Sequence, residues 1–299
     1  MKNALSVDLE DYYHATAFSA SPARASASKV GGRVEANTER ALSIFAAAGA
    51  HATFFTVGDV AERYPRLIRT IAEQGHEIGC HSYAHRLVYS LTPEQFREDT
   101  RRAKLALEDA SGTPVRGYRA PTFSITPKCP WAFEILAELG FTYDSSIFPI
   151  RHLDHGMPAG PRFPFSISTA AGPIAEFPMP TLALGSYRAP FGGGAYMRIL
   201  PYWYTRWALL DFNNRESRPA CVYVHPWELD PEQPRMSGSV TAKLRQYTGL
   251  RGLEKKLVRL LRDFEFLPIG LILSSLKLKT VELFASKRIP ERVEPVSVA

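Results

Sequence analysis

The stretch ALSVDLED, residues 4–11, combines the two features that decide the fold: an apolar segment with the length of a buried strand, and three acids, Asp8, Glu10 and Asp11, at its end. Three more predicted strands also run into polar side chains, namely His81 with His85, Arg119, and His225. Predicted strands alternate with predicted helices from residue 4 to residue 144, which is typical of parallel βαβ units in an α/β sheet or barrel. Because the carboxyl ends of the strands of a parallel barrel share one face, we expect these polar groups to meet there.

Composition excludes several classes of protein. The chain has 299 residues, of which 45% are apolar and 22% are charged. This globular composition excludes wholesale disorder and collagen-like fibres. The length fits one large barrel or α/β domain, or at most two small domains. The three cysteines are too few and too scattered for a disulfide framework, and they lack zinc-ribbon spacing.

The charge pattern bears on partners and location. A large share of the net charge of +6 falls in residues 239–299, which favours either a solvated basic surface or attraction to an acidic polymer or membrane. No basic stretch interleaved with aromatic residues is present, so we expect no nucleic-acid partner. The acidic residues begin at Asp8, which leaves no room for the apolar segment of a signal peptide. The apolar run 266–273 is too short to span a bilayer. We therefore expect a cytoplasmic protein whose basic tail could contact the inner membrane peripherally; the oligomeric state is not predicted.

Two histidines and an excess of acids indicate a metal centre. His81 and His85 are four residues apart, so their rings lie on one side if the segment turns helically after its strand. Two imidazoles and one carboxylate leave an open coordination position on a divalent metal, which is the catalytic rather than the structural zinc pattern. Asp8, Glu10 and Asp11 exceed the needs of one metal, so one acid can be a ligand while another stays free as a base.

The alternating pattern weakens after residue 150. Residues 149–180 are rich in Pro, Gly and Ser, which predicts irregular or edge-strand structure. We expect a glycine loop at 191–196, a helix over 200–210, a strand over 221–224 and one long amphipathic helix over 244–266.

Several motifs together resemble a known family. HSYAH (residues 81–85), RAP (119–121), ATFFTVG (52–58) followed by GHEIG (75–79), and the late His225 are similar to the motifs of the NodB-homology polysaccharide deacetylases, carbohydrate esterase family 4. The DLED start, YDSS (143–146), GGGAYMR (192–198) and HPWE (225–228) resemble the subgroup associated with exosortase and exopolysaccharide gene clusters.

The resemblance implies an architecture. It predicts an irregular (β/α) barrel of about seven parallel strands with a family-specific C-terminal extension. The expected division is a barrel core over residues 1–150, its continuation with family-specific loops and a C-terminal helix over 151–275, and a basic polar tail over 276–299.

The resemblance also implies roles for single residues. It predicts a divalent metal, zinc or else cobalt or nickel, held by His81, His85 and either Glu10 or Asp11. Asp8 would be the base, with Arg119 paired to it, and His225 would protonate the leaving amine. Pro121 and Thr122 end the third motif, where Thr122 replaces the usual tyrosine and offers its backbone N–H to an oxyanion. Asp144 would orient His225 or another group of the site.

Three further residues have two interpretations each. Tyr196 and Trp227 are expected either to stack on a sugar or to pack in the core. Arg198 is expected either to bind the substrate or to order a loop. The implied function is metal-dependent deacetylation of N-acetylated sugars in an exopolysaccharide or its lipid-linked precursor. A cyclic-amide (allantoinase-like) hydrolase, an O-deacetylating esterase and a non-catalytic polysaccharide-binding relative remain alternatives.

Overall fold

The centre of the fold is strand β1 (Asn3–Leu9), in a computed structural model that describes residues 1–15, 32–152, 156–185 and 187–283. β1 pairs in parallel with β2 (Thr53–Thr56) on one side and with β10 (Cys221–Val224) on the other, and every residue of the three strands is buried. Successive side chains of a strand point to opposite faces. Leu5, Val7 and Leu9 therefore pack in the main core, whereas Ser6 and Asp8 lie on the other face.

The main sheet has ten strands. Its order is β10-β1-β2-β3-β4-β5-β7-β6-β12, with β11 beside the start of β1, and the pairs are parallel except for β6 with β7. The strands not yet bounded are β3 (Glu77–Cys80), β4 (Gly117–Tyr118), β5 (Tyr143–Asp144), β6 (Phe165–Ile167), β7 (Ile174–Glu176), β11 (Phe266–Leu267) and β12 (Thr280–Val281). β8 (Thr181–Leu184) and β9 (Tyr187–Pro190) form a separate antiparallel pair.

The predicted α/β class with a mostly parallel sheet is confirmed. The more specific prediction of a seven-stranded barrel is not, because no pairing of β10 with β12 closes the sheet within the residues described.

The helices cover the sheet, and their bounds are α1 (Val34–Ala48), α2 (Gly58–Arg63), α3 (Pro65–Glu73), α4 (Pro93–Ser111), α5 (Ala132–Glu138), α6 (Gly194–Ile199), α7 (Tyr202–Asn214), α8 (Val240–Tyr247), α9 (Leu250–Asp263) and α10 (Ile269–Ser274). α4 has the clearest local signals. Thr92 and Gln95 form a reciprocal capping box, Pro93 occupies the first turn, and Gly112 ends the helix at φ 70°. None of the helices in the described ranges is long and apolar enough to cross a membrane.

The predicted single helix over 244–266 is wrong, because the chain breaks into α8 and α9 at Gly249. Gly249 adopts φ +80°, and a Cβ there would lie 2.4 Å from the carbonyl oxygen of Arg198. Only glycine fits this close left-handed turn without strain. The turn lets α8 end beside the cavity while α9 packs against α1, α6 and the turn at residues 226–229.

Other expectations stay predictions. These are the domain boundaries at 150 and 275, the cytoplasmic location and the peripheral membrane contact. Residues 19–31 of the expected loop over 19–32 lie outside the described residues. So do residues 284–299 of the predicted tail over 276–299.

Candidate active site and metal centre

A cavity of about 490 Å³ opens where β1, β3 and β10 end. Polar groups at the ends of these strands line it together with aromatic side chains. The residues that matter below are Asp8, Glu10, His81, His85, Thr122, Tyr196, Arg198, His225, Trp227 and Glu228. The common strand direction therefore brings together groups that are far apart in the sequence.

Glu10, His81 and His85 form a buried cluster whose candidate ligand atoms all lie within 4.8 Å of one another. Nδ1 of His81 is 2.8 Å from the carbonyl oxygen of Arg119, a bond that leaves Nε2 as the ring's lone-pair nitrogen. Burial lowers the pKa of His81 to about 4, so the ring is neutral at physiological pH. A neutral imidazole is the form that binds a metal.

The loop between the two histidines is not helical, so that expectation was wrong. Ser82 and His85 both adopt left-handed backbone conformations, with φ of 62° and 53°. The hydroxyl of Ser82 accepts a hydrogen bond from the backbone N–H of His85 at 2.9 Å. This tight turn, rather than a helical repeat, places the ring centroids of His81 and His85 5.2 Å apart.

The Glu10 carboxylate is held between two residues. Nε1 of Trp227 donates to Oε1 at 3.1 Å, and Oε2 lies 2.6 Å from Nε2 of His85. Burial by itself would raise the pKa of Glu10, but the nearby rings of His85, His225 and His14 hold it below its ordinary value. Oε2 is a buried atom that accepts no hydrogen bond of normal geometry from any described residue. An ionised carboxylate and two imidazoles facing one point fit a divalent metal such as zinc.

The structure places Asp11 away from this cluster. Its Oδ1 accepts from the backbone N–H of Tyr12 at 2.8 Å, and its Oδ2 accepts from that of Arg33 at 2.9 Å. Asp11 thereby caps the short 3₁₀ turn Tyr12–His14. Of the two acids considered as metal ligands, Glu10 faces the histidines and Asp11 faces backbone amides.

Asp8 and Arg119 form a buried ion pair. Nη1 of Arg119 donates to Oδ1 of Asp8 at 2.7 Å and to the hydroxyl of Ser6 at 2.8 Å. The guanidinium is fully buried, packs 4.3 Å from the ring centroid of Phe55, and also donates to the carbonyl and hydroxyl oxygens of Ser145. Arg119 therefore fixes the orientation of the Asp8 carboxylate.

His225 lies opposite the histidine cluster. Its Nε2 is 3.9 Å from Oδ2 of Asp8 and 3.8 Å from Oε1 of Glu10, and its Nδ1 is 3.1 Å from Oε2 of Glu228. Burial alone would lower the pKa of His225, but the charge of Glu228, with those of Glu10 and Asp8, raises it to about 9. The ring is therefore protonated near neutral pH in the absence of a bound cation.

Sequence reasoning missed the role of Glu228. Burial would raise its pKa, but His225 and Arg198 lower it to about 2, so the carboxylate is charged. The backbone N–H of His225 donates to Oε2 of Glu228 at 2.9 Å, and this hydrogen bond closes a one-turn loop. The spacing of three residues between the strand-end histidine and an acid is the local signal that could have identified it.

Arg198 lines the cavity, but its guanidinium is bound by other groups of the protein. Its Nε donates to Glu228 at 2.6 Å, and its two Nη atoms donate to the backbone carbonyls of Arg245, Gln246 and Thr248. Arg198 thus caps the carboxyl end of α8, as a cation near a helix C-terminus does. Of its two interpretations, the structural one fits these contacts.

Trp227 also has a supporting position. Its side chain is only 4% exposed, and its ring stacks on His225 with 5.0 Å between centroids. With its hydrogen bond to Glu10, it joins the histidine cluster to the His225 side of the site. Tyr196, by contrast, is half-buried and lines the cavity.

Asp144 does not contact His225. Its oxygens accept from the backbone N–H and the hydroxyl of Ser146, and Glu176 faces it from the adjacent strand β7. Burial raises the pKa of both carboxyls; Asp144 raises the pKa of Glu176 further, whereas the hydrogen bond with Glu176 lowers that of Asp144. The hydroxyl of Ser146 accepts from the backbone N–H of Ala120 at 2.8 Å, so Asp144 supports the loop after β4 instead.

That loop carries Pro121 and Thr122. Pro121–Phe123 is a 3₁₀ turn in which Thr122 and Phe123 adopt φ of 54° and 52°. Two consecutive non-glycine residues in the left-handed region are uncommon and mark a constrained turn. Thr122 lines the cavity, whereas Pro121 only starts the turn.

Two segments of the chain match known family models. Residues 27–143 match the family model described as polysaccharide deacetylase, and residues 145–273 match a domain of unknown function, DUF3473. A peptidoglycan deacetylase of Helicobacter pylori is 29% identical over 118 residues, which is 38% of each chain. A peptidoglycan-N-acetylglucosamine deacetylase of Bacillus cereus is 31% identical over 84 residues, which is 28% of this chain and 30% of that one. The chain thus matches less than two fifths of the length of these relatives.

Solved structures agree at the level of the fold. A protein of Mycobacterium smegmatis assigned to the polysaccharide deacetylases superposes with a TM-score of 0.58 at 20% identity, covering 94% of both chains. A protein of Pseudomonas aeruginosa assigned to the same class gives a TM-score of 0.52 at 19% identity, covering 82% of this chain and 69% of that one. The match to the polysaccharide deacetylase family model is confined to residues 27–143, and the solved structures extend the likeness in fold to most of the chain.

Proposed function

We propose that the protein is a divalent-metal-dependent deacetylase that hydrolyses the acetamide of N-acetylated sugars. The observation that carries this is the buried Glu10, His81 and His85 cluster, which shares one cavity with an arginine-paired Asp8 and with His225. A base, an acid and a metal-ligand set within one cavity are what hydrolysis of an unactivated amide requires.

Glu10, His81 and His85 would hold the metal. A bound zinc ion would polarise the acetamide carbonyl and lower the pKa of the attacking water. The buried pairing of Asp8 with Arg119 keeps the carboxylate oriented, and its Oδ2 faces His225 rather than the guanidinium. Asp8 accepts the proton of the water as it attacks.

His225 supplies the proton to the departing nitrogen. Amide hydrolysis without this step would expel a strongly basic amide anion. Glu228 holds the ring from behind at Nδ1, which leaves Nε2 directed toward the cavity. The backbone of Thr122, in its constrained turn, lies at the cavity wall where it can donate to the developing oxyanion. The products are acetate and a free amino sugar.

The substrate class is inferred from the resemblance and the relatives. The two curated relatives are named for peptidoglycan. The motifs in residues 143–146, 192–198 and 225–228 resemble those of exopolysaccharide-associated deacetylases, which favours an N-acetylated exopolysaccharide or its lipid-linked precursor.

Acetate release tests the function. Metal-stripped protein is incubated with N-acetylglucosamine oligomers, with and without added zinc, cobalt or nickel, and acetate and free amine are measured together. We expect both products in equal amounts, and only with metal. Acetate without a new amine would indicate an O-deacetylating esterase. Tight metal binding with no acetate would point to a cyclic amide as substrate, and the absence of both would favour a non-catalytic binding protein.

A further inference from the structure

Exposed apolar side chains are concentrated beside the cavity in residues 184–207. The largest exposures belong to Trp203 at 67% and Tyr187 at 64%, followed by Leu184 at 51%, Ile199 at 50% and Trp207 at 46%. Single exposed apolar residues need no explanation, but a group of this kind marks an interaction surface. We call these five residues the aromatic strip.

The strip is built from four elements, because Leu184 ends β8, Tyr187 starts β9, Ile199 ends α6, and both tryptophans lie on α7. The ring centroid of Tyr204 lies 6.3 Å from that of Trp203 and 6.1 Å from that of Trp207. Its hydroxyl donates to the carbonyl of Pro190, which ties α7 to β9. Burial raises the pKa of Tyr204, and Tyr187 at the start of β9 raises it by a smaller amount.

The strip is continuous with the cavity. Ile199 belongs to both, since it lines the cavity and is half exposed. Tyr196, one turn earlier in α6, also lines the cavity. Burial raises the pKa of Tyr196, and Tyr187 contributes to that rise. A polymer whose reacting unit sits in the cavity can therefore leave it over Ile199 onto the rings of α7 and β9.

The charges around the strip favour a neutral ligand. Arg206, which lies between the two tryptophans in sequence, pairs with Asp263, and Arg188 donates to the carbonyl of Gly160. Docking on an anionic membrane depends on free basic side chains near the surface. Flat aromatic rings with polar tips suit a ligand that has an apolar face and a hydroxylated edge, as a sugar ring has.

We propose that the aromatic strip binds the sugar units of a glycan chain that flank the unit in the cavity, so that the protein selects chains over short fragments. The inference rests on the proposed function for the identity of the cavity's ligand. The strip lies within residues 145–273, outside the segment that matches the deacetylase family model.

Calorimetric titration with N-acetylglucosamine oligomers of two and six units tests the strip. The zinc-loaded Asp8→Asn protein is used so that nothing is hydrolysed. We expect the hexamer to bind at least about tenfold more tightly than the dimer, which is the effect of about 1.4 kcal/mol of added ring contact. The double variant Trp203→Ala, Trp207→Ala should bind hexamer and dimer with equal affinity. The double variant Trp203→Phe, Trp207→Phe should keep most of the preference for the hexamer. Leu105→Ala, which removes an equally exposed side chain on α4, should leave it unchanged.

Two results would overturn the proposal: equal affinity for dimer and hexamer with the strip intact, or an unchanged ratio in the double Ala variant. Cosedimentation with phosphatidylglycerol vesicles that is lost in the double Ala variant would also overturn it in favour of a membrane contact. Zinc-dependent acetate release from the dimer by the unaltered protein tests the proposed function separately, because it does not involve the strip.

Discussion

The regions before and after residue 144 contribute to one cavity in different ways. The earlier region places a reactive group at or directly after the end of several buried strands, as with Asp8, His81 and Arg119. The later region does this once, with His225 after β10, and its other polar groups near the cavity, Arg198 and Glu228, bind each other. A group at a strand end depends on a local pattern, whereas a buried pair depends on how distant segments pack. Substitutions in the earlier region should therefore lower activity or metal binding, and substitutions in the later region should lower stability.

The largest expected effect is in the earlier region, from His81→Ala. The variant should lose stoichiometric zinc and more than about a hundredfold in activity, since even residues that only support metal ligands cost 10–100-fold. Metal content after gel filtration and the acetate assay measure both. His51→Ala, at an exposed histidine outside the site, is the matched control and should retain both. Zinc retained by His81→Ala but lost by Asp11→Asn would reverse the assignment of ligands.

Asp8→Asn separates chemistry from metal binding. Removing the base should lower kcat by about 10²–10⁴-fold while zinc stays bound. The variant also leaves Arg119 buried beside a neutral partner, so its melting temperature should fall. Full activity in Asp8→Asn would exclude Asp8 as the base. Asp59→Asn, at an exposed acid on α2, should leave kcat and melting temperature unchanged.

Arg198→Ala tests the later region. It leaves the buried Glu228 without its cation and three backbone carbonyls without a donor, so we expect a loss of about 3–5 kcal/mol in the free energy of unfolding. Denaturant titration measures it. Arg206→Ala, which breaks an exposed pair with Asp263, should cost about 1 kcal/mol or less. A large loss of substrate affinity in Arg198→Ala at unchanged stability would restore its interpretation as a binding residue.

The smallest expected effect is a shift in the pH profile of kcat. Glu228 raises the pKa of His225, so Glu228→Gln should lower that pKa. His225 acts as an acid, and activity is lost as pH rises through its pKa; the alkaline limb of kcat should therefore move to lower pH. Glu232→Gln, at an exposed acid four residues later, should leave the limb in place. An unmoved limb in Glu228→Gln would mean that another group supplies the proton.

The sequence predicted the earlier region well for a physical reason. β1 and β3 in this region, like β10 in the later one, are short, fully or nearly fully buried segments, and their composition and polar ends mark them locally. Parallel strands then align their ends without further information from the sequence. The cluster of Glu10, His81 and His85 follows from that alignment, although the loop that joins the histidines is a left-handed turn rather than a helix.

The later region depends on contacts that no local pattern records. The contacts that favour a structural interpretation of Arg198 are with Glu228 and with the end of α8, thirty and about fifty residues away. Asp144 was expected to orient His225 or another group of the site, and its neighbours are Ser146 and Glu176. The break at Gly249 was missed because leucine spacing continues across it, and only the carbonyl of Arg198 makes the glycine necessary.

Titration of metal-stripped protein with zinc, followed by acetate release at each step, tests the central claim most directly. The account predicts that activity rises linearly and saturates at one zinc per chain, and that the same titration of His81→Ala yields no acetate. Acetate release that is independent of zinc, or equal in His81→Ala and the unaltered protein, would contradict the account.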